Sequence, residues 1–138
     1  MAKIQYDVDD FGERLEALGR RENIRRILEA GSAEAVKIEQ ERTVAAGHVI
    51  TGKLKEGISA GPVHEDLGSA WQYVYPSGYD DRGQSLTVVA YVINYGARGQ
   101  KTAKTGDKFL TGKKKQMEDA VHAAMEAEAE RIKNEIMR

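Results

Sequence analysis

The segment Leu86–Tyr95 has the sequence LTVVAYVINY and is followed by Gly96. Its β-branched and aromatic residues predict a β-strand that ends at the glycine. Alternation along a strand would give two apolar faces, one with Leu86, Val88, Ala90 and Val92 and the other with Val89, Tyr91, Ile93 and Tyr95. Antiparallel sheets usually keep one face polar. We therefore expect helices to cover one face, and another helix or a neighbouring subunit to cover the other.

A strongly basic segment follows this predicted strand. Residues Ala97–Lys115 read ARGQKTAKTGDKFLTGKKK, and Asp107 is their one acidic residue. Such a segment can contact DNA phosphates or an acidic partner surface, or it can be a solvated, mobile loop. The adjacent apolar residues Phe109 and Leu110 favour a partner, because such a pair in a polar stretch usually anchors the chain. Within the chain, the surface onto which they would anchor the segment is the start of the last helix.

Composition limits the broad class of protein. The chain has 138 residues, a formal net charge of −1 and no cysteine, which predicts one domain made inside the cell without disulfides. A net charge near zero argues against a general polyanion binder. The first ten residues, MAKIQYDVDD, contain no apolar signal-peptide core, and no stretch reaches the roughly 18 apolar residues of a membrane span. We expect a soluble protein.

Two helices are predicted near the N-terminus. Asp9 or Asp10 can cap a helix over Phe11–Ala30, in which a break near Gly19–Arg20 is an open alternative. Gly31 is expected to end it, and Ser32 to cap a second helix that runs to about Ala46. A last helix, over 114–137, is predicted from a stripe of Met117, Val121, Ala124, Ile132 and Ile136.

The middle of the chain has the pattern of a small sheet. Thr51–Leu54 is predicted to be a turn, Lys55–Ala60 to begin the sheet, and Glu65–Ser69 to be a loop. Ala70–Pro76 alternates as a strand, and Ser77–Gln84 has the polar, glycine-bounded composition of a hairpin connection. Trp71, Tyr73 and Tyr75 share one face of that strand. We expect this aromatic face to pack under a helix, although a stacking platform for single-stranded nucleic acid is the alternative.

These elements predict one α+β domain over residues 1–138. Its N-terminal helices would occupy 10–46, a β-rich part 50–96 and a mobile basic loop 97–115. The long C-terminal helix would pack on an antiparallel sheet of about three to four strands, with the order α-α-β-β-β-α along the chain.

A search for catalytic and metal-binding motifs finds none. His48, His64 and His122 lack metal-ligand spacing, and we interpret His64–Asp66 as part of a solvated loop. Asp80 and Asp81 have the pattern of turn residues rather than of a catalytic pair. The sequence contains no nucleophile elbow, phosphate loop or dinucleotide fingerprint. We therefore expect no enzyme activity, no cofactor, no metal and no small-molecule substrate.

Three short motifs in a fixed order resemble those of the head–tail joining proteins of long-tailed bacteriophages, also termed neck, tail-completion or minor tail proteins. The motifs are Thr51–Leu54 (TGKL) followed by Ile58–Ser59, then Tyr91–Gly96 (YVINYG), then Lys108–Leu110 (KFL) ahead of a long helix. The chain differs from the family pattern in four places: Ile-Ser stands in reversed order, Asn94 replaces the usual glutamate, the proline before Phe109 is absent, and 48–50 read His-Val-Ile. The resemblance covers about Gly47 to the C-terminus.

The resemblance implies a non-enzymatic structural protein of the virion, made in the host cytoplasm and assembling as a ring, commonly of six, between the portal and the tail. Its implied partners are further copies of itself, connector, stopper or tail-tube proteins, and packaged DNA. The residues implied to contact a neighbouring ring or the DNA channel are Arg98, Lys101, Lys104, Lys108, Lys113, Lys114 and Lys115. Those implied to make the arm mobile are Gly96, Gly99, Gly106 and Gly112.

The residues expected to pack the core or the subunit contacts are Trp71, Tyr73, Tyr75, Tyr91, Ile93, Tyr95, Phe109 and Leu110. The alternative function is a small, sequence-independent nucleic-acid-binding protein that uses the basic residues of 98–115. These two functions differ in their expected salt dependence, because phosphate contacts weaken steeply with added salt.

Overall fold

The computed structural model describes residues 2–7, 21–47, 52–66, 69–96 and 108–136. Within them the chain forms strand β1 (Ala2–Asp7), helix α1 (Arg21–Ala45), the short helix α2 (Lys53–Glu56), strands β2 (Ile58–Ala60), β3 (His64–Asp66) and β4 (Ser69–Pro76), helix α3 (Leu86–Tyr95) and helix α4 (Lys114–Ile136). This is an α+β fold with a small antiparallel sheet and a long C-terminal helix, as the sequence predicted.

The sheet is organised around β4. Strand β1 pairs antiparallel with one edge of β4, with Ile4 opposite Gln72. Strands β2 and β3 follow one another along the other edge, where Ile58 lies opposite Pro76 and His64 opposite Trp71. The predicted strand Ala70–Pro76 is therefore confirmed. The predicted loop at Glu65 is wrong because β3 forms a hairpin with β4, and β1 was not predicted at all.

Helix α1 is continuous where two helices were predicted. Gly31 and Ser32 lie within it, although both have the local character of a helix end. A Cβ atom on Gly31 would lie 2.7 Å from Met125 Cγ, so the glycine permits close packing of α4 on α1. The Ser32 hydroxyl donates a 2.7 Å hydrogen bond to Oε1 of Gln72 on β4. Tertiary contacts, rather than capping, explain both residues. The predicted helical residues 11–20 lie outside the described residues.

The main core lies between the sheet and the two long helices. Helix α1 covers one face of the sheet, and the principal contact of α4 is with α1. The core residues are Ile4, Ile27, Leu28, Ala35, Ile58, Ala70, Val74, Met117, Val121, Met125 and Ile132. On the outside of the helix pair, the Arg26 guanidinium donates to Glu128 at 2.9 Å and to Glu135 at 2.8 Å. The predicted α4 stripe is confirmed at Met117, Val121 and Ile132.

Residues Leu86–Tyr95 form helix α3, so the predicted strand is wrong. Leu86, Ala90 and Asn94 are its buried residues, at the four-residue spacing of one helix face. The Val89 N–H donates to the Ser85 carbonyl at 3.0 Å and starts the helix. An apolar run without a clear period can be a buried strand or a helix, and here the helical packing determines the outcome. The segment Ser77–Gln84 therefore joins β4 to a helix rather than to a second strand.

A second, smaller core holds α3 in place. Leu54, Leu86, Ala90, Phe109 and Leu110 are buried together, and Ile93 packs against them. The side chain of Thr87 donates a 2.6 Å hydrogen bond to the Pro76 carbonyl, which connects α3 to the end of β4. Phe109 and Leu110 thus anchor the segment, as predicted, but they pack against α2 and α3 of the same chain rather than against the start of the last helix or a partner.

Candidate functional site

The described part of the basic segment is a turn that leads into α4. Lys108, Lys113, Lys114 and Lys115 are all exposed there, and Lys114 lies 3.7 Å from Glu118. Lys108 and Lys113 each have a φ of 52°, a left-handed conformation that is uncommon for residues other than glycine. The remaining predicted contact and hinge residues of this segment, Arg98, Gly99, Lys101, Lys104 and Gly106, lie outside the described residues.

Asn94 fastens this turn to α3. The Asn94 side chain is 2% exposed, and its Oδ1 accepts hydrogen bonds from the backbone N–H of Leu110 at 3.0 Å and of Thr111 at 3.2 Å. Its Nδ2 donates to the Thr111 hydroxyl at 3.0 Å, and its backbone carbonyl accepts from the Lys108 N–H at 3.0 Å. The base of the basic segment is therefore held in one place. An amide side chain within an otherwise apolar run is the sequence signal for this role.

Arg42 holds the other side of the same turn. From the last turn of α1 it donates to the Leu110 carbonyl at 3.3 Å and to the Lys113 carbonyl at 2.9 Å. These carbonyls precede or begin α4, so the guanidinium stabilises the entry into that helix. It also places a further positive charge beside the exposed lysines.

The outer side of α3 is apolar and exposed. Its residues, with their exposed fractions, are Val88 (60%), Tyr91 (54%), Val92 (42%) and Tyr95 (48%). The rings of Tyr91 and Tyr95 are 4.7 Å apart between centroids. We define these four residues as the α3 face. Of the apolar residues predicted to pack here, Ile93 contacts the smaller core, whereas Tyr91 and Tyr95 are exposed.

The outer side of the sheet carries a second aromatic surface. Trp71, Tyr73 and Tyr75 alternate with the buried Gln72 and Val74, so they point away from α1. We define these three residues as the β4 face. The expected helical cover is wrong for this face, since α1 packs on the opposite side of the sheet and Tyr73 is 43% exposed.

Two neighbouring polar side chains flank the β4 face. Lys3 Nζ lies 4.9 Å from the Trp71 ring centroid, and the ring of His64 stacks on Trp71 at a centroid distance of 5.8 Å. A cation over an indole ring is an attractive contact. The Trp71 ring is therefore partly covered by Lys3 and His64 of the same chain, whereas Tyr73 is more exposed.

Both faces belong to a region that is nearly free of charge. Between Leu67 and Gly96 the charged residues are Asp80, Asp81 and Arg82, although 31% of the whole chain is charged. Among the described residues, this region holds all of the exposed large hydrophobic side chains except Val44. Five of the six tyrosines and the single tryptophan lie in it. Loss of charge with enrichment of tyrosine and tryptophan is the compositional signature of an interface core.

Asp80 has a structural role in the connection between β4 and α3. Asp80 Oδ1 accepts from the backbone N–H of Arg82 at 2.9 Å and of Gln84 at 2.8 Å, as expected for a turn residue. Among the residues described, no group of three His, Asp or Glu side chains could hold a metal ion. Within the same residues, no helix has the length and apolar character that crossing a membrane requires.

Glu39 is the one buried carboxyl group in the described core. It lies on α1 with no measurable exposure. Burial raises the pKa of Glu39 to about 7, which outweighs the lowering effect of nearby positive charge, Arg42 included. Because Glu39 is fully buried on α1, we interpret it as a structural group with a consequence for stability.

Comparison with protein-family models, curated proteins and solved structures finds no match for this chain. The two exposed faces and the exposed lysines are therefore the features from which a function can be inferred.

Proposed function

We propose that this protein is a structural component of the head–tail junction of a tailed bacteriophage or prophage, and that it acts by assembling with copies of itself and with neighbouring connector, stopper or tail-tube proteins. The observation that carries the proposal is the exposed, charge-depleted surface of the α3 and β4 faces. An apolar patch of this kind on a protein with so many charged residues elsewhere usually marks a protein–protein contact. The resemblance of the TGKL, YG and FL motifs to head–tail joining proteins supports the same conclusion.

The exposed lysines have a defined role in this proposal. Lys108, Lys113, Lys114 and Lys115 form a positive surface at the start of α4, and Asn94 and Arg42 fix the turn that carries them. A positive surface on a rigid base suits contact with an acidic neighbour or with DNA in the channel. The protein would turn over no substrate, and its place of action would be the virion.

Sedimentation velocity over a concentration series, with and without a short DNA duplex at physiological salt, tests the proposal. We expect a discrete oligomer that forms without DNA. A monomer that shifts only with DNA would contradict assembly as the primary function. In cells that produce particles, the triple variant Lys113→Glu, Lys114→Glu, Lys115→Glu should block particle assembly. The isolated variant should stay folded. Normal yields of infectious particles from that variant would reject the role of the lysines.

A second candidate function is sequence-independent nucleic-acid binding, which the exposed lysines and the open β4 face both favour. It predicts duplex binding whose affinity falls by roughly one logarithmic unit per logarithmic unit of salt for each phosphate neutralised. An affinity independent of salt would exclude this candidate.

A further inference from the structure

Helix α3 is short, and its sequence does not favour a helix by itself. Eight of its ten residues, Thr87–Val89 and Tyr91–Tyr95, are of types with low helix propensity. A helix of this length is marginal in water even when it is made of good helix formers. Ser85 precedes the helix, but its side chain makes no capping hydrogen bond. The helix therefore depends on its packing against the rest of the chain.

The packing of α3 is separate from that of the main core. Among the described elements, the main contacts of α3 are with β4 and α2 rather than with the two long helices. Its buried residues Leu86 and Ala90 belong to the smaller core, whose members are distinct from those of the main core. The hydrogen bond from Thr87 to the Pro76 carbonyl joins α3 to the sheet at the end of β4. Loss of the α3 packing would therefore leave the main core in place.

The turn before α4 completes the smaller core, and it depends on α3 as well. Phe109 and Leu110 of this turn supply two of the five buried residues of that core. The Asn94 side chain supplies the acceptor for the N–H groups of Leu110 and Thr111, at 3.0 and 3.2 Å. Without the turn, α3 would lose much of its packing. Without α3, two N–H groups of the turn would lose their acceptor, so each part stabilises the other.

The contacts of Arg42 mark where this region ends. From α1, Arg42 donates to the Lys113 carbonyl at 2.9 Å and, at a longer distance of 3.3 Å, to the Leu110 carbonyl. Helix α4 begins at the next residue, Lys114, and packs against α1. The boundary between the turn and the main body of the protein therefore lies near Lys113.

We infer that α3 and the turn 108–112 open together as one cooperative unit while the main core stays folded. This inference does not rest on the proposed function, and it adds a conformational change within a single copy of the chain. Contiguous parts of a protein with few buried contacts open in this way at a smaller free energy than complete unfolding requires. Lys108 belongs to the unit. A partner that binds Lys108 in the closed state therefore also stabilises α3 and its exposed face.

Two substitutions of the same kind, one inside the unit and one outside it, test this inference. Ala90→Gly weakens α3, and Ala123→Gly, at an exposed position of α4, is the matched control. Replacing a helical alanine by glycine changes the equilibrium constant for unfolding the helix by about fivefold. Both substitutions destabilise the folded protein relative to the fully unfolded chain. Both should therefore speed amide exchange in the main core.

The experiment is hydrogen exchange of the wild type and both variants, measured by NMR under native conditions. The backbone N–H groups of Val92 and Ile93 report on α3, those of Leu110 and Thr111 on the turn, and that of Leu28 on the main core. After correction for intrinsic exchange rates, we expect α3 and the turn to exchange at similar rates in the wild type. Both should exchange faster than the main core.

The two variants should differ within the unit. Ala90→Gly should speed exchange in α3 and in the turn alike, by about fivefold or more. Ala123→Gly should leave the exchange of both unchanged, because α4 stays folded when the unit opens. Thr87→Val is a second variant within α3, since it removes the hydrogen bond to the Pro76 carbonyl, and it should give the same pattern as Ala90→Gly.

Two results would overturn the inference. If Ala123→Gly speeds exchange in α3 and the turn as much as in the main core, these groups exchange only when the whole protein unfolds. If Ala90→Gly and Thr87→Val speed exchange in α3 but not in the turn, the two parts open separately. Circular dichroism of each variant checks that it is folded.

Discussion

The side-chain oxygen of Asn94 accepts a 3.0 Å hydrogen bond from the backbone N–H of Leu110, sixteen residues further along the chain. This bond and its neighbour to the Thr111 N–H join the end of α3 to the turn before α4. A buried amide can donate and accept at once, and here it does both.

Replacing Asn94 by alanine should destabilise the protein. The Leu110 and Thr111 N–H groups would lose their acceptor in a buried or half-buried place, and we expect a loss of about 2 kcal/mol in the free energy of unfolding. Denaturant unfolding measures this change. Asn134→Ala is the control, because Asn134 is exposed on α4 and should change stability by less than about 0.5 kcal/mol. Equal effects of the two changes would contradict the role of Asn94.

Gly31→Ala should also destabilise the protein, although it improves helix propensity. In an exposed helix interior this substitution gains about 1 kcal/mol. Here the new methyl group would lie 2.7 Å from Met125 Cγ and 3.2 Å from Ile4 Cγ2, and overpacking typically costs about 1–3 kcal/mol. We expect a net loss in thermal unfolding. In a Met125→Ala background the cost should shrink, and a stabilising effect of Gly31→Ala in the wild type would show that α4 does not pack closely there.

Glu39 should make the protein less stable as the pH rises towards neutrality. Its pKa in the folded state is raised from 4.5 to about 7, mainly by burial, so the folded state binds the proton more tightly. This contribution to stability is fully present below about pH 4.5 and is lost as the pH rises through 7. Glu39→Gln should therefore be more stable than the wild type at pH 8 and closer to it at pH 5.

The measurement for Glu39 is the urea midpoint of both proteins at the two pH values. Glu126→Gln, an exposed change on α4, should show no such difference between pH 5 and pH 8. A constant gap between Glu39→Gln and the wild type at both pH values would contradict the raised pKa.

Lys113→Gly should stabilise the protein. Lys113 has a φ of 52°, and the left-handed conformation costs an L-residue about 1–2 kcal/mol, part of which glycine recovers. We expect a gain of about 0.5–1 kcal/mol in thermal or denaturant unfolding. Lys114→Gly, one residue later and inside α4, should show the opposite sign. If both substitutions destabilise the protein, the backbone strain at Lys113 is absent.

The elements that the sequence predicted are those with a clear local period. Strand β4 alternates strictly between inward residues and aromatic residues, and α4 repeats its apolar residues at helical spacing. Apolar residues occupy most positions of helix α3, so its sequence shows neither the period of a helix nor that of a strand. Its buried residues pack against Phe109 and Leu110, which lie further along the chain, and this packing favours the helix. Strand β1 is short and largely polar, and its pairing with β4 spans most of the first half of the sequence.

The lack of a clear local period also affects what the sequence predicts about the candidate site. A strand at Leu86–Tyr95 would have divided the apolar residues evenly between two faces, so Val88 and Val92 would have shared one face with Leu86. The helix instead buries Leu86 and exposes both valines. The helix end predicted at Gly31 and Ser32 is wrong for a related reason. These residues are explained by contacts with Met125 and Gln72, which are distant in the sequence. The anchoring role of Phe109 and Leu110, by contrast, was predictable from their contrast with polar neighbours.

The 3.0 Å hydrogen bond between the Lys108 N–H and the Asn94 carbonyl holds the turn before α4 against the end of α3. These two elements therefore depend on their own contacts, and not on the number of residues that separates them in the sequence, to stay side by side. Doubling the number of residues between two joined positions costs only about 0.6 kcal/mol of closure entropy. A related chain with a longer or shorter sequence between these positions can thus keep the same contact at little cost in stability.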